Sequence, residues 1–280
     1  MSYLIEAFKV IFLGIVEGIT EWLPISSTGH MLLVDEFIHM NQSEEFKKVF
    51  FVVIQLGAIL AVVLLFWKKM WPFQRPDKAQ EKSILKTDIF VTWLKVVVAC
   101  IPGTIATLLF GDFIDEHLET PAVIAIMLIF YGAAFIIVEQ LNKHRTPRVT
   151  TLGGITFLDA FLIGLFQVLS IIPGTSRSGA TIIGALIIGI SRVAAAEFTF
   201  FLAVPVMFGL SGLKLIQFGF NFTPLELTIL LLGSAVAFLV SLLVVRFLMN
   251  YIRRHDFKVF GWYRIILGAV ILLYFLVLAR

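Results

Sequence analysis

The chain has 280 residues, 59% of them hydrophobic and 15% charged, with a formal net charge of +3 and a mean hydropathy of +0.98. Soluble domains average about 45–50% apolar and about 25% charged residues, so a water-soluble globule is excluded. Cys100, the one cysteine, sits in an apolar run and forms no intramolecular disulfide.

Apolar runs of about 20 residues recur and alternating strands of about ten do not, which points to a helical rather than a barrel membrane protein. The opening "MSYLIEAFKV" has no basic region or small-residue cleavage site, so no removable signal peptide is expected. In chain order, region 4–38 is apolar but interrupted by "ITEWLPISSTGHM". Three spans follow at 49–67, 89–110 and 121–141. A second interrupted region, 155–190, contains "IIPGTSRSGAT", and three more spans follow at 197–218, 227–249 and 259–279.

Basic residues in short loops mark the cytoplasmic side. They gather in loop 68–86 (Lys68, Lys69, Arg75, Lys78, Lys82, Lys86), loop 142–148 (Lys143, Arg145, Arg148) and loop 250–258 (Arg253, Arg254, Lys258). Loop 111–120, "GDFIDEHLET", and loop 219–226, "GFNFTPLE", carry no Lys or Arg and are expected outside. Span 49–67 then runs inward from an external 40–48, where Glu44 and Glu45 offset Lys47 and Lys48. Region 155–190 starts and ends on the cytoplasmic side, and so dips into the membrane and returns. If region 4–38 does the same, the N-terminus is external.

A shift of 150 residues superposes the halves: Gly14 falls on Gly164, Glu17 on Gln167, Ser26 on Ser176, Thr28 on Ser178, Gly29 on Gly179, and Phe50-Phe51 on Phe200-Phe201. Three spans per half is an odd number, so the second half is inserted upside down. The expected fold is an all-α polytopic membrane protein with six transmembrane helices and two re-entrant helical hairpins in two inverted-topology repeats, 1–148 and 149–280, forming a single membrane domain over 1–280.

Irregular backbone at membrane depth survives only where protein or a wet cavity satisfies it, and each ionisable group there costs about 2.5–3.5 kcal/mol. Glu17, Glu21 and Arg177 are therefore expected to be grouped. Gly14, Glu17, Gly18 and Glu21 share one helical face. The repulsion between the two carboxylates is relieved by a cation, by a shared proton or by Arg177. Ser26, Ser27, Thr28 and His30 follow Pro24. The serines and threonine can cap a helix whose N-terminus favours anions, and His30 can act as acid, base or nucleophile. "PGTSRSGAT" supplies the bidentate donor Arg177 and the hydroxyls of Thr175, Ser176 and Ser178. It also supplies N–H groups around Gly174 and Gly179, with Thr181 one turn on. Such a cradle inside a membrane fits the phosphate head of a lipid.

"EGITE", "PISSTGH" and "PGTSRSGAT" together resemble the two signature motifs of the undecaprenyl-diphosphate phosphatase family, also called bacitracin-resistance proteins, over nearly the whole chain. The resemblance implies removal of one phosphate from undecaprenyl diphosphate to regenerate the carrier for cell-wall glycans. It also implies a multi-pass bacterial plasma-membrane protein, a site reached from the external face, and a divalent cation, Mg or Ca, at Glu17 and Glu21. The expected catalytic set is Glu17, Glu21, Ser27, His30 and Arg177. Ser26, Thr28, Gly174, Thr175, Ser176, Ser178, Gly179, Thr181 and Gln167 are expected to bind substrate. Either Ser27, activated by His30 and a carboxylate, or His30 itself attacks phosphorus. The expected partners are the polyprenyl diphosphate lipid and the bilayer; nucleic acid is not expected, and a homodimer is left open. Lys95, Lys214, Arg246 and Arg264 read as snorkelling anchors or interhelical pairs, and Asp159, Glu139 and Glu197 as structural. The alternative is a secondary transporter or flippase for an anionic or lipid-phosphate substrate, because broken helices at the midplane serve transport equally well.

Overall fold

The computed structural model describes residues 2–74, 84–219 and 221–275. Arg75, Lys78 and Lys82 of the expected cytoplasmic loop, Phe220, and residues 276–279 of the expected final span lie outside the described residues. Those described form an all-helical bundle: α1 (Ser2–Thr20), α2 (Ser27–Phe37), α3 (Glu44–Leu65), α4 (Trp67–Met70), α5 (Thr87–His117), α6 (Pro121–Leu141), α7 (Phe157–Val168), α8 (Arg177–Ile187), α9 (Arg192–Phe218), α10 (Pro224–Tyr251) and α11 (Lys258–Leu273).

Five of these helices, α3, α5, α6, α9 and α10, are long and apolar enough to cross a membrane. With 12 and 11 residues, α7 and α8 are too short to do so. α1 has 19 residues but contains Glu6, Lys9 and Glu17. The helices start earlier than hydropathy suggests because caps and first-turn carboxylates extend them. Ser43 caps α3 ahead of Glu44 and Glu45, and Ser191 caps α9. Thr223 and Glu226 form a capping box on α10, with Pro224 in its first turn.

The two interrupted regions are closed at their bases, at different ends of the bundle. The Glu6 carboxylate accepts from the Asn41 N–H (2.9 Å), and Lys9 donates to the His39 carbonyl (2.6 Å), so α1 begins beside the end of α2. This end also holds Phe46, in ring contact with Phe218 and Phe222. Around the second region, the Arg148 N–H donates to Gly189 (2.7 Å) and the Ser191 N–H to Val149 (2.8 Å), so the chain leaves for α7 and returns from α8 at one place. Here ion pairs join α4 to α9 (Lys69 with Glu197), the start of α7 to its preceding loop (Arg148 with Asp159) and α9 to α6 (Arg192 with Glu139). Asp159 and Thr156 also form a capping box, and Glu139 accepts from the Phe257 N–H.

Helix packing is reciprocal. α1 lies on α10 and α7 on α5; α2 touches α11 and α8 touches α6; α3 meets α9, and α6 meets α11. Gly14 on α1 faces the backbone of Gly233, while Gly164, 150 positions on, faces that of Ala99. The core between them is rich in phenylalanine, with Trp22 edge-on to Phe200 at 5.4 Å. Leucine and phenylalanine side chains cover the outside, Leu108 being 77% exposed, as suits lipid contact.

α6 and α11 touch through Gly132 and Gly261. A Cβ added at either would lie 2.7 Å from the other's carbonyl oxygen. Gly132→Val is expected to cost about 1–3 kcal/mol through overpacking and to lower the unfolding midpoint in detergent. Gly153→Ala, with open space around it, should leave the midpoint unchanged.

Candidate functional site

The two chain breaks end in the same local structure. Ser26 (φ 72°) and Ser176 (φ 69°) both adopt positive φ, a strained state for residues with a Cβ. Each then caps the next helix: Ser26 Oγ accepts from the Gly29 N–H at 3.4 Å, and Ser176 Oγ from the Gly179 N–H at 3.2 Å. The first residues of α2 and α8 are consequently Ser27 and Arg177, and both reach the carboxylate of Glu21. Ser27 Oγ donates to Glu21 Oε2 at 2.9 Å and Arg177 Nη2 to Oε1 at 3.0 Å. The Glu21–Arg177 pair is nearly buried on both sides. A second guanidinium nitrogen, Arg177 Nη1, donates to the Thr199 carbonyl at 3.3 Å.

Beside this group lies a cavity of about 500 Å³. Of the expected site residues, Glu21, Ser27, Thr28, Gln167, Gly174, Ser176 and Arg177 line it. The others stand behind. Ser178 Oγ contacts Ser176 Oγ (3.1 Å) and the Glu21 carbonyl (3.5 Å). Thr181, fully buried, bonds to the Arg177 carbonyl (2.9 Å) and the Thr199 hydroxyl (2.9 Å), docking α8 on α9. Gly174 has φ 89°, and a Cβ there would meet the Ile124 backbone, so glycine is needed on both counts.

Glu17, one turn before Glu21, is buried with Oε1 unpartnered; Gln167 Oε1 and Thr175 Oγ1 are likewise buried and unpartnered. Such groups require water, an ion or a ligand. Glu17 and Glu21 are two carboxylates one turn apart on α1 and its continuation, and no set of three or more His, Cys, Asp or Glu side chains gathers among the described residues. His30 does not line the cavity. Its Nδ1 faces the Ser26 carbonyl at 2.7 Å, so Nδ1 carries the proton; in the neutral ring Nε2 accepts from the Tyr263 hydroxyl, also at 2.7 Å. The two rings stack.

Sequence reasoning missed several residues here. Gln55, Thr104, Thr107 and Ser170 add polar lining from α3, α5 and the turn after α7, but polar residues scattered one at a time through spans carry no pattern. Arg264 is the larger omission. It neither snorkels nor pairs with a carboxylate. It is fully buried and donates to the carbonyls of Pro24 (3.2 Å), Gly174 (2.9 Å) and Thr175 (2.9 Å), with its guanidinium over the Tyr131 ring. Pro24 and Gly174 are 150 positions apart, so one side chain ties equivalent points of the two loops together. The available signal was an arginine inside an apolar run, beside Tyr263.

The family described as bacitracin resistance protein BacA matches residues 10–270. The chain is similar to proteins named undecaprenyl-diphosphatase from Enterococcus faecalis (67% identity, 96% of this chain and 97% of the relative), Lachnoclostridium phytofermentans (60%, 99% of each) and Desulfitobacterium hafniense (58%, 97% of each).

Replacing Arg264 with Met leaves three buried carbonyls without their donor. An orphaned buried polar group costs about 1–3 kcal/mol, so Arg264→Met should lower the unfolding midpoint sharply. Arg264→Lys, a single charged donor in place of a planar fork, should recover only part of the loss. Thermal unfolding in detergent distinguishes the three proteins.

Proposed function

We propose a mechanism whose premise is the family: the chain belongs to the bacitracin resistance protein family BacA, and its reaction is hydrolysis of undecaprenyl diphosphate to undecaprenyl phosphate and orthophosphate. It is a multi-pass enzyme of the bacterial membrane that returns the lipid carrier to cell-wall synthesis. The observation that carries the site assignment is the hydroxyl of Ser27, held by Glu21 beside Arg177 at the wall of the cavity.

The diphosphate enters the cavity and its terminal phosphate lies against Arg177, the N–H groups at the starts of α2 and α8, and the hydroxyls of Thr28 and Ser176. These groups hold and neutralise oxygens on which charge builds up. Ser27 Oγ attacks the terminal phosphorus as Glu21 accepts its proton, and the bond from phosphorus to the bridging oxygen breaks. Undecaprenyl phosphate leaves with that oxygen. Water then attacks the phosphoserine, orthophosphate departs, and Ser27 regains its proton. Ser27 is favoured over His30 because its oxygen lies on the cavity wall next to a base, whereas both ring nitrogens of His30 are engaged elsewhere. His30, with Tyr263, orients the turn that carries Ser27.

A divalent cation would be held by Glu17, whose Oε1 is unpartnered, with Glu21 one turn away; carboxylate oxygens suit a hard cation such as Mg. When bound, the cation offsets the clash between carboxylates and diphosphate.

The same reading takes the bundle as two inverted-topology repeats, 1–148 and 149–280, with six spanning helices and two re-entrant hairpins. Reciprocal packing, hairpin bases at different ends and matched serine caps support it. External access is supported by the charge pattern. The cavity residues of α5 and α9, Gly103–Leu108 and Pro205–Leu213, lie toward the helix ends remote from the basic loops.

Orthophosphate release in detergent, where no gradient exists, tests the enzyme against the transporter alternative. Ser27→Ala, Glu21→Gln and Arg177→Ala are each expected to reduce kcat/KM by about 100-fold or more, and chelator should suppress the wild type. Full activity in both Glu21→Gln and Arg177→Ala would falsify the site. For orientation, a cysteine at Ser43 should react with impermeant reagent outside intact cells, and one at Arg254 should not.

A further inference from the structure

Arg264 bonds to both loops just upstream of the two groups that handle phosphate. Pro24 precedes Ser27 and Gly174 precedes Arg177 by the same short step. Arg264 Nη1 donates to the Pro24 carbonyl at 3.2 Å. Nη2 donates to the Gly174 and Thr175 carbonyls at 2.9 Å each, and to the Met127 carbonyl of α6 at 3.5 Å. The guanidinium is fully buried and planar, so it sets how far apart the loops stand. The spacing between Ser27 Oγ and the Arg177 side chain follows from it.

The same bonds fix which way a peptide faces. Ile172, Pro173, Gly174 and Thr175 have the pattern of a type II turn: proline second, Gly174 third at φ 89°, and the Thr175 N–H on the Ile172 carbonyl at 3.2 Å. The chain leaves this turn with the Thr175 carbonyl on Arg264. A trans peptide sets its N–H opposite its C=O, and no cis peptide occurs among the described residues. The Ser176 N–H therefore faces away from Arg264. It has no acceptor among the described residues, and Ser176 lines the cavity. Arg177 and Ser178 follow as the first residues of α8, where N–H groups have no intrahelical acceptor. A run of three donors thus begins at the peptide that Arg264 turns. Gly179 leaves room for the guanidinium, since a Cβ there would lie 3.3 Å from Arg264 Nη1.

We infer that Arg264 is a positioning residue for the phosphoryl transfer: from behind the loops it sets the spacing of Ser27 and Arg177 and aims the Ser176 N–H at the phosphate. This rests on the phosphatase reading above and adds a residue that touches neither substrate nor nucleophile. The transition state needs nucleophile, clamp and donors aligned at once, whereas the bound ground state does not. Loss of the alignment therefore falls on the rate rather than on binding.

The test sets a transition-state mimic against a product. Orthovanadate adopts the five-coordinate geometry of phosphorus during transfer and orthophosphate does not, and the ratio of their inhibition constants is independent of the folded fraction. Arg264→Lys keeps the charge and loses the fork. It is expected to lower kcat for undecaprenyl diphosphate by about tenfold or more with KM within about twofold. Vanadate should weaken by about tenfold or more, and phosphate by no more than about twofold. Gly179→Ala favours the helix but crowds Nη1. It should move kcat and vanadate in the same direction by a smaller factor without lowering the unfolding midpoint, and should add nothing in the Arg264→Lys background, where Nη1 is gone. An unchanged vanadate-to-phosphate ratio in Arg264→Lys overturns the role, as does an equal effect of Gly179→Ala in both backgrounds. If Arg264→Lys yields no folded protein, Gly179→Ala decides alone, and an unchanged ratio there overturns the inference. Wild type that binds vanadate and phosphate yet releases no phosphate from the lipid overturns the phosphatase reading instead.

Discussion

Everything at the centre of this molecule depends on one carboxylate, that of Glu21, receiving hydrogen bonds from two helices at once. An isolated charge at this depth is expensive, and so is a pair unless geometry and extra hydrogen bonds compensate. Arg177 supplies the opposite charge and Ser27 saturates the other oxygen. Because Arg177 belongs to the second broken region and Ser27 to the first, the interaction holds only when both interrupted segments meet. Electrostatics and topology therefore impose the same requirement: a carboxylate bonded to a hydroxyl, with a guanidinium alongside.

The segments that looked least like membrane in the sequence are the ones the structure brings together. Glycine, proline, serine and charge inside an apolar run are costly, so their presence in "ITEWLPISSTGHM" and "PGTSRSGAT" points to irregular backbone and grouped ions. The helical class was equally legible, since apolar runs and basic loops follow directly from the bilayer as solvent. The beginnings of helices were less so. Caps such as Ser43 and Ser191 extend α3 and α9 several residues beyond what hydropathy marks.

What escaped the sequence was anything decided by a partner far along the chain. Arg264 reads in the sequence as one more long basic side chain; its four carbonyl acceptors come from residues far along the chain. His30 looked like a reactive group in the same turn as Ser27. Its contact with Tyr263, 233 positions on, could not be read from the sequence. A glycine likewise reads alike whether it is pressed against backbone, as Gly57 is, or borders open space, as Gly209 does.

Arg264 comes after both loops in chain order, and this has a consequence for biogenesis. A chain elongating from its N-terminus delivers Pro24, Gly174 and Thr175 to the membrane before the guanidinium that satisfies them has been synthesised. Until α11 arrives, both bends present bare carbonyls to their surroundings, and water or the insertion machinery must shelter them. Closure of the two loops is thus coupled to the arrival of α11.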